Sequence, residues 1–297
     1  MSPETSGANP VAPGASAVTK PRVAVPSGGR LRNDVLALLQ HAGYRTGGLG
    51  GNGARADAGE LELIEMRPRD AGVWLATGRV QGAFVSTDIV MEEGLSHLAS
   101  VPLGFSQSDL VVASREDDGR DKPADLAGAI VATHLPKTTK AWFAEQGIDA
   151  TVVAMGGSLE GVCAAGMAEA IVDLRETGNS LRQNRLRALA TIARCQALFV
   201  YTEAPGLEDL RLRLQAALDG RQLRYVMLHL PPQHLDRLRS ILPGLASPTV
   251  LPLAGRDDLI AVHIVVDRAT FWARLGDLRD AGATGIVALA PDALLKG

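Results

Sequence analysis

From Arg22 onward, short apolar runs alternate with stretches whose apolar positions recur at helical spacing. Arg22-Val23-Ala24-Val25 reads as a buried strand stopped by Pro26-Ser27-Gly28-Gly29. Asn33 is then placed to cap a helix with Val35, Leu38, Leu39 and Ala42 on one face and Gly43 at its end. Strands are predicted at 61–66 and 82–85, with a helix over 70–77 between them. Residues 110–113, 129–133, 151–155, 170–172 and 197–201 read as further strands, and helices starting near Thr138 and Ser158 separate three of these. Such alternation predicts an α/β fold of parallel or mixed sheets with helices on both faces and ligands at the carboxyl ends of strands. After a helix at about 207–218 the order becomes strand (224–230), helix (232–242), strand (249–253), strand (259–266), helix (269–281), strand (285–290). This βαββαβ order is that of a ferredoxin-like module, with Pro231-Pro232 opening its first helix and Gly282 closing its second. Residues 1–19, rich in Pro, Gly, Ala and Ser without an apolar period, are expected to form a disordered tail.

Composition narrows the class. The 297 residues are 46% apolar and 21% charged, with 33 acidic residues against 30 Lys plus Arg. That apolar share rules out a disordered polyampholyte, and a net charge of −3 offers no basic field for nucleic acid. There is neither the cationic start and apolar core of a signal peptide nor the roughly 18 uninterrupted apolar residues of a membrane span. Cys163 and Cys195 alone imply no disulfide framework, and a reducing cytoplasm is expected. His41, His97, His134, His229, His234 and His263 lack the spacing of a zinc site. Trp74, Trp142 and Trp272 are expected to fill gaps in the core.

The segment richest in chemistry is Glu169-Ala-Ile-Val-Asp173-Leu-Arg-Glu176-Thr177-Gly178-Asn179-Ser180-Leu181. A buried strand ends in an acid, and a short loop of hydroxyl and amide groups leads into an amphipathic helix. Backbone N–H groups at a helix start, with the Thr177 and Ser180 hydroxyls, suit a phosphate, and Gly178 lets the backbone approach closely. The preceding acid can hold ribose hydroxyls or a Mg2+ water. An ordinary βα turn capped by Ser and Thr has the same pattern, so the pattern alone leaves both readings open. Ser27-Gly28-Gly29 lacks the Lys-Ser/Thr of a Walker loop.

An acid followed after a short gap by Thr-Gly-x-Ser/Thr-Leu resembles the 5-phosphoribosyl-1-pyrophosphate (PRPP) loop of the ATP phosphoribosyltransferase family. Other segments agree in order and spacing: Val23-Ala-Val-Pro-Ser-Gly-Gly-Arg30-Leu31, Arg67-Pro-Arg-Asp70, Leu103-Gly-Phe105, Asp125-Leu-Ala-Gly128 before a strand ending Ala132-Thr133, and Gly157-Ser158-Leu159-Glu160. Leu242-Pro-Gly-Leu-Ala-Ser-Pro-Thr249 and Ala261-Val-His263 resemble the regulatory module of the long form. The resemblance spans about residues 20–297.

It implies a two-lobed catalytic part similar to periplasmic binding proteins, lobe I at 20–108 with 196–219 and lobe II at 109–195, then a ferredoxin-like regulatory domain at 221–297. The implied reaction joins N1 of ATP to C1′ of PRPP, with Mg2+, and releases pyrophosphate. Its setting is histidine biosynthesis or, for a paralogue, a coformycin- or pentostatin-type nucleoside antibiotic pathway. An inactive or base-altered regulatory subunit and a small-solute-binding module are the other readings. The resemblance assigns Asp173, Glu176, Thr177, Gly178, Asn179, Ser180 and Leu181 to PRPP, with Glu160 nearby for ribose or metal. Arg30 and Arg67 fall at pyrophosphate positions, where a planar guanidinium can grip phosphate oxygens. Asp88, Leu135, Lys137 and Gly157 fall at ATP positions, and His229, Thr249 and Ala283 at regulatory ones. Dimers assembling into a hexamer are implied, with no nucleic-acid or membrane partner.

The departures are local. Ser27-Gly28-Gly29-Arg30 stands for the family's Asn-Lys-Gly-Arg and lacks its lysine. Residues 83–88 keep the acid of Gly-Ile-Thr-Gly-x-Asp but neither glycine. Leu135-Pro136-Lys137-Thr138 replaces Tyr-Pro-Asn-Leu and so removes an aromatic ring from the adenine side, while Lys137 offers a new cation. Asn179 and Ser180 stand where two threonines are frequent. His229 takes the place of an acid that could meet the ammonium of histidine, so weakened or absent inhibition by histidine is expected.

Overall fold

The computed structural model describes residues 20–50 and 54–295; the tail expected over 1–19 lies outside them. The first of three sheets begins with β1 (Arg22–Pro26), β2 (Arg55–Asp57), β3 (Glu62–Met66), β4 (Gly82–Ser86) and β5 (Ala99–Pro102), joined by α1 (Gly29–His41), α2 (Pro68–Ala76) and α3 (Thr87–Glu93). The chain then crosses to a second sheet of β6 (Ser108–Arg115), β7 (Ile130–Thr133), β8 (Thr151–Ala154), β9 (Ala170–Arg175) and β10 (Leu186–Cys195), with α4 (Pro136–Glu145), α5 (Leu159–Ala164) and α6 (Asn179–Gln183). It returns as β11 (Ala197–Tyr201), which inserts between β4 and β5. The orders are β2-β3-β1-β4-β11-β5 and β10-β6-β9-β7-β8. Strands β3-β1-β4 and β9-β7-β8 run parallel and the outer strands antiparallel, so both sheets are mixed, as the alternation predicts.

Helix α7 (Leu207–Gln222) leads into the third sheet, formed by β12 (Leu223–Leu230), β13 (Thr249–Leu253), β14 (Arg256–Asp267) and β15 (Thr284–Leu289). Helix α8 (Leu235–Ile241) follows β12, and α9 (Arg268–Ala273) and α10 (Leu275–Asp280) precede β15. The antiparallel order β13-β14-β12-β15 is the ferredoxin-like arrangement expected from the βαββαβ pattern.

Period-two alternation sends β1 to two cores. Val23 and Val25 pack with Leu38 and Leu39 of α1 and Leu210 and Leu214 of α7, while Ala24 packs with Ala71 and Leu75 of α2. Being covered on both faces explains why this strand is an unbroken apolar run. The Ala24 core continues through Val85 and Ile89 into Leu110, Val112, Val131 and Phe143, so the first two sheets share one apolar body. Helices of the third sheet cover Val226, Leu228, Val262 and Ile264 on one of its faces.

Several local expectations are corrected. Helix α1 starts at Gly29 with Gly28 as its cap, so Asn33 lies inside it and caps nothing. The amphipathic helix expected after Ser180 is only Asn179–Gln183, and the chain then runs into the ten-residue strand β10. Strands β2 and β5 and helix α3 were not expected. Trp74 and Trp272 are 47% and 62% exposed rather than core fillers, whereas Trp142 does pack against the shared core. Both cysteines are buried free thiols.

Candidate functional site

The acid-to-helix segment sits at the carboxyl end of β9. Asp173 through Leu181, with Glu160 from α5 and Val111 from β6, encloses a hollow of about 190 Å3. Gly178 caps α6 at φ +73°, a left-handed conformation that glycine adopts without penalty. The loop is tied from within. Arg182 donates to the Thr177 carbonyl at 3.3 Å and to the Asn179 side chain, and the Ser180 hydroxyl donates to Glu160. The Asp173 carboxylate accepts the Leu174 N–H at 2.8 Å. Burial pushes the Asp173 carboxyl above its usual range against that hydrogen bond, and the nearby Glu160 carboxylate adds to the rise. A helix of one turn contributes less dipole than the longer helix expected, so the hydroxyls and the Gly178 turn define this cradle.

The hollow adjoins a larger cleft of about 520 Å3 at the crossovers between the sheets, with Arg175 and Glu176 lining both. Arg30 reaches Glu176 at 3.2 Å from the first turn of α1, joining the first sheet's helix to the loop of the second. Arg67 is the exposed N-cap of α2. Three side chains that sequence reading passed over lie along the cleft: Arg194, Asp109 and Arg175. They form a cross-strand row because Asp109 of β6 pairs with Arg194 of β10 on one side and Arg175 of β9 on the other. Arg175 donates to Asp109 at 2.7 Å.

The residues expected on the ATP side are not brought together in the same way. The Leu135 side chain is 4% exposed and belongs to the shared core, so it does not stand in for the missing aromatic ring. Its turn is fixed from below: the Leu135 N–H donates to Thr133 Oγ1 at 3.0 Å, and Thr133 Oγ1 donates to the Val172 carbonyl. Lys137 pairs with Glu93 at 2.8 Å, an ion pair whose lysine side chain stays exposed. Gly157 lies in the exposed turn before α5. Glu92, also passed over, is 2% exposed and accepts the Lys137 and Thr138 N–H groups at 3.1 and 2.9 Å. A carboxylate from α3 thereby fills the N-terminus of α4, where Leu135 offers no side-chain cap.

Asp88 is buried in the first turn of α3, and its Oδ1 lacks a hydrogen-bond partner among the described residues. Burial raises its carboxyl above the usual range, opposed by a hydrogen bond with Ser86. The folded state therefore favours the neutral acid. That contribution to stability is present below the ordinary carboxylate pKa of about 4 and is lost as pH rises through the higher folded value. Asp88→Asn is expected to raise the thermal midpoint at pH 7 and to match the parent near pH 4. A lower midpoint for the variant at pH 7 would show that the charge is stabilising.

On the third sheet, His229 pairs with Ala261 and Thr284, and its ring lies so close to Gly285 that an added Cβ would come within 3.2 Å of Nδ1. Ala283 is buried beside that turn. Thr249 pairs with His263, whose Nδ1 is 2.7 Å from the Tyr225 hydroxyl.

Frame and loop define a class: a two-lobed α/β protein with a cradle suited to a phosphorylated ligand and a ferredoxin-like module behind it. The family described as ATP phosphoribosyltransferase matches residues 67–217, and the one described as HisG, C-terminal domain, matches residues 220–290. An ATP phosphoribosyltransferase of Gemmatimonas aurantiaca is 34% identical over 281 residues, covering 90% of this chain and 96% of the relative. One of Methanocella arvoryzae is 30% identical over 283 residues, covering 93% and 99%. The solved ATP phosphoribosyl transferase (HisG:HisZ) complex from Thermotoga maritima shares the fold, with a TM-score of 0.57 at 24% identity over 66% of this chain and 96% of that one. The chain belongs to the ATP phosphoribosyltransferase family, in its long form with the C-terminal domain. Among the described residues no helix is long and apolar enough to cross a membrane.

Proposed function

We propose that the protein joins N1 of ATP to C1′ of PRPP and releases pyrophosphate, the step that commits material to histidine biosynthesis. One observation carries the reading: the Asp173–Leu181 loop keeps its acid, hydroxyls and left-handed glycine around a hollow of about 190 Å3. Identity with whole-length ATP phosphoribosyltransferases supports it, so neither a nucleoside antibiotic pathway, an inactive regulatory subunit nor a solute-binding role is needed. The three-sheet grouping supports lobe I at 20–108 with 196–219, lobe II at 109–195 and a regulatory domain at 221–297.

In this reading Thr177, Gly178, Asn179, Ser180 and Leu181 hold the 5-phosphate, and Asp173 and Glu176 face the ribose hydroxyls. The N1 lone pair forms the new bond to C1′ while the C1′–O bond breaks and its electron pair leaves with pyrophosphate. No base is needed at the nucleophile, so the protein's work is positioning and charge stabilisation. Arg30 and Arg67 receive the departing charge. The Arg30–Glu176 pair is exposed on both sides and worth about 0–1 kcal/mol, so phosphate oxygens can replace the carboxylate.

Among the described residues no three His, Cys, Asp or Glu side chains gather into a site that could hold a metal ion. That suits Mg2+ arriving with substrate, since this ion characteristically takes one or two carboxylates and completes its shell with phosphate and water. Glu160 and Asp173 fit as those carboxylates, and the ion would neutralise charge on the leaving pyrophosphate. Histidine inhibition is weakened in this reading, because the His229 imidazole gives no fixed negative charge at neutral pH. A homo-oligomer is also part of it.

The test is to mix purified protein with ATP, PRPP, Mg2+ and pyrophosphatase and follow absorbance near 290 nm, the usual wavelength for the family's product. A rise that depends on both substrates is expected. No product with ATP or any other purine nucleotide would overturn the reading.

A further inference from the structure

We propose that the neutral imidazole of His134 accepts a hydrogen bond from the 6-amino group of the purine and so selects an adenine nucleotide. The inference rests on the reaction proposed above and adds a base-reading residue to it. Strand β7 pairs in parallel with β9 up to Thr133 opposite Val172, and with β8 up to Thr133 opposite Ala154. The next residues along, Met155, His134 and Asp173, therefore form a row across the carboxyl ends of three strands, each about 4.8 Å from its neighbour. The imidazole lies near enough to Asp173 for its charge to oppose the rise of that carboxyl. One end of the ring is committed: Nδ1 is 2.8 Å from the Met155 carbonyl oxygen, which can only accept, so Nδ1 carries the proton. In the neutral ring Nε2 is then a bare acceptor, and it has no hydrogen-bond or ion-pair partner among the described residues. The residue is half-buried, which holds that acceptor in one place and leaves it within reach of a ligand.

The chemistry of the base says what meets it. In adenine the 6-amino group is bonded to the ring carbon beside N1. With N1 against C1′ of the ribose, that amine lies beside the residues that hold the sugar, and His134 is the row neighbour of Asp173. The other acceptors nearby have different work. Asp173 and Glu160 belong to the ribose and its ion in this reading, Thr133 Oγ1 takes the Leu135 N–H at 3.0 Å, and Asp88 is only 5% exposed. The Leu135 side chain is packed in the shared core, so the same turn lays no ring against the base and a hydrogen bond must do the discriminating. A 6-oxo purine would set a second acceptor against Nε2, and a purine without a 6-substituent would leave it unpaired.

Steady-state pyrophosphate release by the full-length protein with PRPP and Mg2+ tests this, comparing ATP with purine riboside 5′-triphosphate, which keeps the N1 lone pair and lacks the 6-amino group. The assay is run at about pH 8.5, where an ordinary imidazole is neutral. His134→Ala should lower kcat/KM for ATP about tenfold, the size of one hydrogen bond, and that for the analogue less than about twofold. The ratio between the two nucleotides should therefore fall at least about fivefold, and because it is taken within each variant a loss of folded protein cancels. An analogue that is not turned over is scored by its inhibition constant against ATP. His134→Gln, with an acceptor at similar reach, should recover part of the ATP loss and leave the analogue unchanged. A ratio in His134→Ala within about twofold of the parent's would overturn this inference alone, whether both nucleotides weaken together, as they would if the ring met phosphate, or neither does. A parent that releases pyrophosphate with no nucleotide would instead overturn the functional reading beneath it.

Discussion

Gly178→Val should lower kcat/KM for PRPP about 100- to 1,000-fold, the usual result of disturbing backbone donors aimed at an anion, and should lower the thermal midpoint by only about 2–4 °C. Gly178 stands at φ +73°, where a β-branched residue is strained whatever the space around it. The space is also tight: an added Cβ would lie 3.3 Å from the Arg182 guanidinium, which holds the Thr177 carbonyl and the Asn179 side chain. Valine must either keep a backbone conformation that costs about 1–2 kcal/mol or turn the peptide planes away from the phosphate. Both outcomes are confined to a surface loop, so the loss of binding far exceeds the loss of stability. Steady-state kinetics alongside a thermal melt measure it. A KM for PRPP within threefold of the parent would remove this loop from substrate binding.

The second large effect is on stability. Glu92→Ala takes the acceptor from two backbone N–H groups at the start of α4, inside the body shared by the two lobes. Losing a charge-assisted pair at a buried helix end costs about 3 kcal/mol, which at roughly 2 °C per kcal/mol lowers the midpoint by about 6 °C. Glu92→Gln keeps one acceptor oxygen and should lose about half as much. Differential scanning calorimetry reads both, and an unchanged midpoint for the alanine variant would mean that α4 finds another cap.

That capping contact marks where sequence reading stops. Its donors and acceptor are 45 and 46 residues apart and lie on different helices, α4 and α3, so no local capping signature announces it. The ion pair of Lys137 is just as silent in the sequence, because its partner Glu93 lies 44 residues away. Strand β10 was hidden by its own composition. Arg187-Ala-Leu-Ala-Thr-Ile-Ala-Arg194 is rich in helix formers, and two register shifts against β6 break the period-two pattern. Pairing with a central neighbour overrides that propensity, and with β10 unseen the row through Arg194 stayed unseen too. Features encoded locally were legible: the apolar run of β1, the order of elements after residue 223, and the acid, glycine and hydroxyls from Asp173 to Leu181. Exposure of Trp74 and Trp272 was not, because residue type says nothing about which face of a short helix finds a neighbour.

The return of β11 between β4 and β5 also sets a timetable for synthesis. Strand β5 ends at Pro102 and its neighbour starts at Ala197, so about 95 residues must leave the ribosome before that edge can pair, roughly 5–20 s of translation. The whole second sheet, β6 to β10, emerges within that interval with all its pairing partners present. The half that carries the Asp173–Leu181 loop is thus able to fold while the half that carries Arg30 is still open.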